Sequence, residues 1–466
     1  MNIYKLSSCS PRSVALNSLL YVGGLMLFAF VAAAPVRCFA DSPPVGRNIK
    51  ASDFMNTFGV NIHIGDNNYR NLQAVTDALN IIGFSRVRCA CQSPADVAAW
   101  KDLAAKASPY FPAGMKADVL VTGYMNAPGV TLASQEALLP QLSGILESIE
   151  GPNEINNYAV GSGTHGPSDY LDTTGFYPSN YLTWAKALAG WKSQTKSMSH
   201  VMLIAPSIAS GLPEEYAKLP NVSNYVDAGN MHFYAGGGRQ PSGFGGGNFS
   251  AIYDWYKTSA IPNGPVTVTE WGQNTAGRQG QGGCDEAAQA KYVLNQMCDI
   301  VAKGATRAYI YQLMDDTSDG DPTGNGGMES HFGLFDYNWR VKPAAQALAN
   351  LKNLLADKTS NFTAQPPQYT VSGITDAGAA GSDISISKSD GSTYIVVWNE
   401  PKIWDASTNT AVIPANDAVT VSFGGNYTYQ VFDPISGMAS IASGAGRQAI
   451  VTLKGSPIMI RVTPAR

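Results

Sequence analysis

Charge is scarce in this 466-residue sequence: Asp, Glu, Lys and Arg together make up 14%, and the formal net charge is −4. Without a basic excess there is no electrostatic footprint for nucleic acid, and without an acidic tail there is none for a polycation. Histidine is rarer still, at five, and neither CxxC nor any His/Cys spacing of a zinc site occurs. Six cysteines become four once the N-terminal leader is set aside: Cys89, Cys91, Cys284 and Cys298. Cys89 and Cys91 are too close on one strand to pair without strain. Cys284 and Cys298, if on one helix, are roughly 20 Å apart at 1.5 Å per residue, beyond disulfide reach. A Cys91–Cys284 bridge and four free thiols both stay open.

What is plentiful is glycine (47) and tyrosine (22), a composition suited to an exported protein that meets neutral polymers. The N-terminus agrees. Lys5 and Arg12 precede an apolar run from Val14 to Ala34, and small residues lead to Ala40, the order of a signal peptide cleaved near Ala40. The run is also long enough for an uncleaved anchor. Either way the body of the protein is expected outside the cytoplasm, with no stable membrane partner. Four sequons (Asn221, Asn248, Asn361, Asn426) matter only if the source glycosylates.

Two short strands end on carboxylates. Ile149-Glu-Gly-Pro-Asn153 runs from an apolar lead into Glu154, and Val266-Thr-Val-Thr269 runs into Glu270. Between residues 55 and 358 strand and helix signals alternate in eight βα units over roughly 300 residues, the period of a (β/α)8 TIM barrel, whose sites lie at strand C-termini. Glu154 and Glu270 close the fourth and seventh strands, nearly opposite each other across the mouth. Glycoside cleavage needs such a pair, one to protonate the leaving oxygen and one to attack C1 or activate water. The expected division is a leader over 1–40, a linker over 41–54, the barrel over 55–358 and, from 359 to 466, short alternating strands that read as a β-sandwich.

Asn153-Glu154, Glu270, Met231-His-Phe-Tyr234, Arg88 on the second strand, and Gly333-Leu-Phe-Asp-Tyr with Lys342-Pro343 resemble the retaining (β/α)8 glycoside hydrolases of clan A. The resemblance covers roughly residues 55–357, and a following sandwich recurs in that clan. It implies Glu154 as acid/base, Glu270 as nucleophile, Asn153 as partner of the sugar 2-hydroxyl, His232 and Tyr234 as lining, with Tyr234 orienting Glu270, and Arg88 as support for the nucleophile. The clan's eighth-strand tryptophan is replaced by Tyr311-Gln312, so Gln312 joins the expected substrate contacts and Trp271 is the candidate stacking face.

Other residues keep two readings. His63 either binds sugar or is a satisfied core histidine; Tyr124 and Trp339 are stacking platforms or ordinary packing. Glu150 reads as a buried structural carboxylate paired with an arginine. Asp315, Asp316, Asp319 and Asp321 lack EF-hand spacing, and neither metal nor cofactor is called for. The function expected is hydrolysis of β-glycosidic bonds with a carbohydrate partner. A transglycosylase using the same intermediate and a non-catalytic glycan-binding barrel are the alternatives.

Overall fold

The structure is a computed structural model that describes residues 47–121, 128–156, 176–236, 238–243, 248–276, 283–316 and 329–465. The described chain enters through β1 (Arg47–Lys50) and α1 (Ala51–Thr57). Both lie where a linker was expected, and β1 pairs in parallel with a strand more than three hundred residues later. Its four residues are too few and too polar to register as a strand without that partner.

Eight barrel strands follow: β2 (Phe58–Asn61), β3 (Arg86–Ala90), β4 (Lys116–Leu120), β5 (Leu146–Glu150), β6 (Met202–Ile204), β7 (Gly229–Phe233), β8 (Val266–Trp271) and β9 (Arg307–Ile310). They form one sheet ordered β6-β5-β4-β3-β2-β9-β8-β7, and a parallel bridge between Ile204 and Ala228 joins its ends. The expected (β/α)8 barrel is what forms. The outer helices are α2 (Leu72–Ile82), α3 (Pro94–Ala107), α4 (Pro128–Gln135), α5 (Phe176–Gln194), α6 (Pro213–Ala217), α7 (Phe249–Ala260), α8 (Glu286–Lys303) and α9 (Pro343–Leu355). Local chemistry sets their ends: Ser93 and Asp96 close a capping box with Pro94 in the first turn of α3, and Gly304 ends α8 at φ +89°. After α4 the chain makes a 3-10 turn over Leu139–Leu142 before β5.

The C-terminal region is a seven-stranded mixed sheet built from β1, β10 (Tyr369–Ser372), β11 (Asp383–Ser387), β12 (Thr393–Val397), β15 (Asp417–Phe432), β16 (Ala442–Leu453) and β17 (Ile458–Pro464). A separate hairpin, β13 (Trp404–Asp405) and β14 (Thr410–Ala411), packs Trp404 in a cluster with Cys284, Ala288 and Tyr292. β15 loses its regular ladder between Ser422 and Tyr427, and its partner changes there from β10 to β17. Its first half thus shares a core with β12 and β17 through Val419, Val421, Ile395, Val397 and Ile460. That is the expected sandwich. Strand alternation sends the other faces of β11 and β12 (Ile384, Ile386, Tyr394, Val396) into the barrel's own core, so β12 is buried at every position.

The four cysteines are free thiols. Among the described residues no helix is long and apolar enough to cross a membrane; the apolar run from Val14 to Ala34, Tyr124, Asp319, Asp321 and His165 lie outside them.

A buried carboxyl pair joins α8 to the loop after β12. Asp299 Oδ1 accepts from Ala380 N at 3.0 Å and Glu400 Oε2 from Ser242 N at 2.7 Å. The Trp398 indole also reaches Asp299. Burial, then the neighbouring Glu400 charge, pushes the Asp299 pKa well above its ordinary value. A raised carboxyl pKa contributes stability that is complete below the unfolded pKa and lost as pH rises through the folded one. Asp299 therefore contributes a loss of wild-type melting temperature as pH rises between its unfolded and folded pKa values, and Asp299→Asn, which has no such proton to lose, is expected to flatten that part of the curve. Parallel melting curves across pH for the two proteins would exclude a raised Asp299 pKa as the source of that fall.

Candidate active site

The loop after β5 is pinned before it reaches Glu154. Gly151 lies against the next crossover, where a Cβ would stand 2.7 Å from Pro206 N. Ser207 N donates to Pro152 O at 3.2 Å and Ile155 N to Ser207 O at 3.0 Å. Asn156 exchanges two bonds with Ala209, at 2.8 and 2.9 Å. Glu154 is held between them with φ +41°, a left-handed conformation that an L-residue adopts only when its surroundings enforce it. Its N–H donates to Ser207 Oγ at 2.8 Å.

Glu270 arrives differently. The β8 ladder is irregular between Val268 and Trp271, so Thr269 and Glu270, though consecutive, both reach the barrel interior. Trp271 then faces outward. It is 1% exposed with its ring 6.2 Å from Phe58, which corrects the expectation that it stacks on sugar. The aromatic surface of the cleft comes from Tyr234, Tyr311 and Phe332, whose rings are 5.3 to 6.4 Å apart.

Arg88 joins the pair from below. Its Nη1 donates to Glu270 Oε1 at 2.8 Å and Asn61 Oδ1 at 2.7 Å, and its Nη2 to Asn153 Oδ1 at 2.7 Å and Glu150 Oε1 at 2.8 Å. Nε donates to Glu150 Oε2 at 2.6 Å. All five guanidinium N–H groups are thus used, and Glu150 is the arginine-paired buried carboxylate expected. Tyr234 donates to Glu270 Oε2 at 2.8 Å. Burial alone would raise the Glu270 pKa; His232, Arg88 and Tyr234 outweigh it and hold the carboxyl below its ordinary value. His232 Nδ1 lies 2.8 Å from Glu154 Oε1 and 3.5 Å from Glu270 Oε2. An oxygen of Glu154 and one of Glu270 come within 4.8 Å of each other, with His232 between.

Above this trio opens a cleft of about 1030 Å³, lined by His63, Asn153, Glu154, Tyr234, Glu270 and Tyr311 among others. His63 is on its wall, stacked on Tyr69 with ring centroids 5.9 Å apart and 3.4 Å from Asp66. Gln312 is not. It is fully buried, accepting from Tyr69 Oη at 3.0 Å and donating to Asp316 Oδ2 at 3.0 Å, so its expected contact with substrate is corrected to a structural one. Trp339 packs on Tyr69 and Phe335. Asp315 is held by Lys342 at 2.7 Å. Among the described residues, the one His/carboxylate group close enough for metal ligation is Glu154, His232 and Glu270 itself. Sequence reasoning missed Asn61, Asn230 and Thr269; only Asn230, two residues before His232 on the same strand face, carried a signal in the strand period.

Three solved structures share this arrangement of elements. A family 39 glycoside hydrolase from the gut symbiont Bacteroides cellulosilyticus WH2 is 14% identical with a TM-score of 0.54, over 90% of this chain and 83% of that one. The likeness is one of fold. A family 39 enzyme from Xanthomonas axonopodis pv. citri (14%, TM-score 0.52, 92% of this chain, 100% of that one) and a glucosidase from Croceicoccus marinus (12%, TM-score 0.53, 91% and 100%) share it as well. The coverage takes in both barrel and sandwich, as the clan A resemblance implied for the fold. No family model and no curated protein matches the sequence.

Proposed function

We propose that this protein is an exported retaining β-glycosidase that hydrolyses a polysaccharide or oligosaccharide by double displacement. The observation that carries the reading is the approach of Glu154 and Glu270 oxygens to within 4.8 Å at the mouth of the barrel. Retaining enzymes hold their carboxyl groups about 5–5.5 Å apart, whereas inverting ones leave about 6.5–9.5 Å for a water. Glu270, kept ionised by Arg88 and Tyr234, attacks C1 while Glu154 protonates the departing oxygen; the C1–O bond to the leaving group breaks as the bond to Glu270 forms. In the second half Glu154 takes a proton from water, whose oxygen displaces Glu270. Asn153, turned by Arg88, is the partner for the sugar 2-hydroxyl, and Tyr311 with Phe332 supplies the apolar wall. The leader up to Ala40 supports export.

Incubation with a panel of β-linked glucans, xylans and mannans, followed by proton NMR of the first product, tests this. A β-anomer formed first is expected, and an α-anomer would overturn retention. Glu154→Gln is expected to slow natural substrates by about 10²–10⁴-fold, the usual range for a lost general acid. Aryl glycosides with good leaving groups should keep a fast first step and show a burst, since they need no proton. Equal losses on both substrate types would remove the acid role from Glu154.

A further inference from the structure

The hydrogen-bond chain behind the two glutamates determines how many protons His232 carries. Glu150 accepts from Arg88 Nε and Nη2, so it is an acceptor toward its other neighbours. Asn230 directs its amide nitrogen at two acceptors, Glu150 Oε1 at 2.8 Å and Ala205 O at 3.0 Å. Its Oδ1 therefore faces Thr269 Oγ1, 2.6 Å away. A hydroxyl has a single hydrogen to donate. Thr269 commits it to Asn230 Oδ1, the other acceptor in reach being Glu150 Oε1 at 3.1 Å. Only lone pairs are left for His232 Nε2, at 3.0 Å, so Nε2 carries a hydrogen. On the opposite side of the ring, Nδ1 meets carboxyl oxygens of Glu154 and Glu270 at 2.8 and 3.5 Å.

We propose that His232 is a standing imidazolium, held doubly protonated by the positioning residues Thr269 and Asn230, whose counter-ion alternates between Glu270 and Glu154. The alternation rests on the retaining reading above. In the free enzyme Glu270 is the carboxylate and Glu154 holds the acid's proton. After attack, that proton is on the departed oxygen, Glu270 is an uncharged ester and Glu154 is the carboxylate. One negative charge has crossed from one side of Nδ1 to the other, and the imidazolium has moved no proton. The ionisable groups facing the ring are Glu154, Glu270 and Arg88. Burial, the largest influence, and Arg88 act to lower the histidine pKa, but the Glu270 charge and the hydrogen bond to Glu154 raise it above 6.5.

Full-length protein carrying ¹⁵N-histidine tests the protonation directly, with His232 assigned by a His232→Asn control. Two ring N–H signals are expected for His232 at about pH 8, where an ordinary histidine has lost one; a bare ring nitrogen there overturns the proposal. Thr269→Val removes the acceptor at Nε2. The pH at which His232 loses a ring N–H in the ¹⁵N spectrum should then move down by about one unit and kcat/KM fall about tenfold, the size of one lost hydrogen bond to a charged group, with Thr269→Ser restoring both. An unmoved His232 titration in Thr269→Val also overturns it. Should Thr269→Val fail to fold, the wild-type spectrum still decides. That spectrum needs no substrate, so two N–H signals in a protein without glycosidase activity would sink the enzymatic reading alone. A singly protonated His232 in an active enzyme would sink this one alone.

Discussion

Glu270→Gln is expected to reduce turnover of every substrate by about 10³-fold or more, the scale on which removing a nucleophile acts, while leaving the fold intact. The amide is nearly isosteric. Its carbonyl keeps the bond from Arg88 Nη1, and the Tyr234 hydroxyl, which donates to Glu270 Oε2 at 2.8 Å, can rotate to accept from the new N–H. What is lost is the charge at C1. Chemical rescue assigns the roles separately. With Glu270→Gly, added azide enters from the vacated face and gives a glycosyl azide of inverted, α configuration. With Glu154→Gly, azide intercepts the covalent intermediate and gives the β product. Undiminished turnover in Glu270→Gln, or rescue products of the opposite configurations, would refute the assignment.

Arg88→Lys should be the most damaging substitution for stability, at about 3–5 kcal/mol, the range for removing one partner of a buried ion pair. A lysine has three N–H groups on one atom where Arg88 places five in a plane. It cannot span Glu150, Asn61, Asn153 and Glu270, which Arg88 bonds together. The pH dependence follows from Glu270. Its pKa is depressed in the folded protein, so it contributes stability above its unfolded pKa that is lost as pH falls through the folded one. Weakening Arg88 raises the folded value, and acid unfolding of Arg88→Lys should begin at higher pH than in the wild type. Calorimetry from about pH 4 to 8 reads both effects; a variant that melts within about 1 kcal/mol of wild type would show that the five bonds contribute little.

The barrel and its facing carboxylate pair were legible because both rest on local signals. Each glutamate ends a short β-branched or apolar strand, and the interval between strands carries the βα period. Trp271 was misread although the strand period argues against it: adjacent residues point to opposite faces, so a ring beside an inward Glu270 faces out. Thr269 was not legible at all. It turns inward only because β8 is irregular between Val268 and Trp271, and such an irregularity is set by the pairing strand. Gln312 failed for another reason. Its partner Tyr69 lies 243 residues earlier, in a 3-10 turn after β2, and nothing in a linear pattern brings the two together. In the sandwich, β10 and β16 are the edge partners of β15, and β16, rich in Gly, Ala and Ser, has low strand propensity of its own.

The parallel pairing of β1 with β11, Arg47 to Ile384 through Lys50 to Ser387, has a kinetic consequence. The first described strand has no partner until more than four-fifths of the chain has been made or has emerged from a translocation pore. Closing so long a loop costs entropy before any contact offsets it. Capture of β1 is therefore a late step, and it clasps both ends of the barrel's chain to one sheet. A nascent protein interrupted before residue 383 carries an unpaired strand edge, and for a chain that folds after export this is the interval in which it is open to proteases and to misassembly.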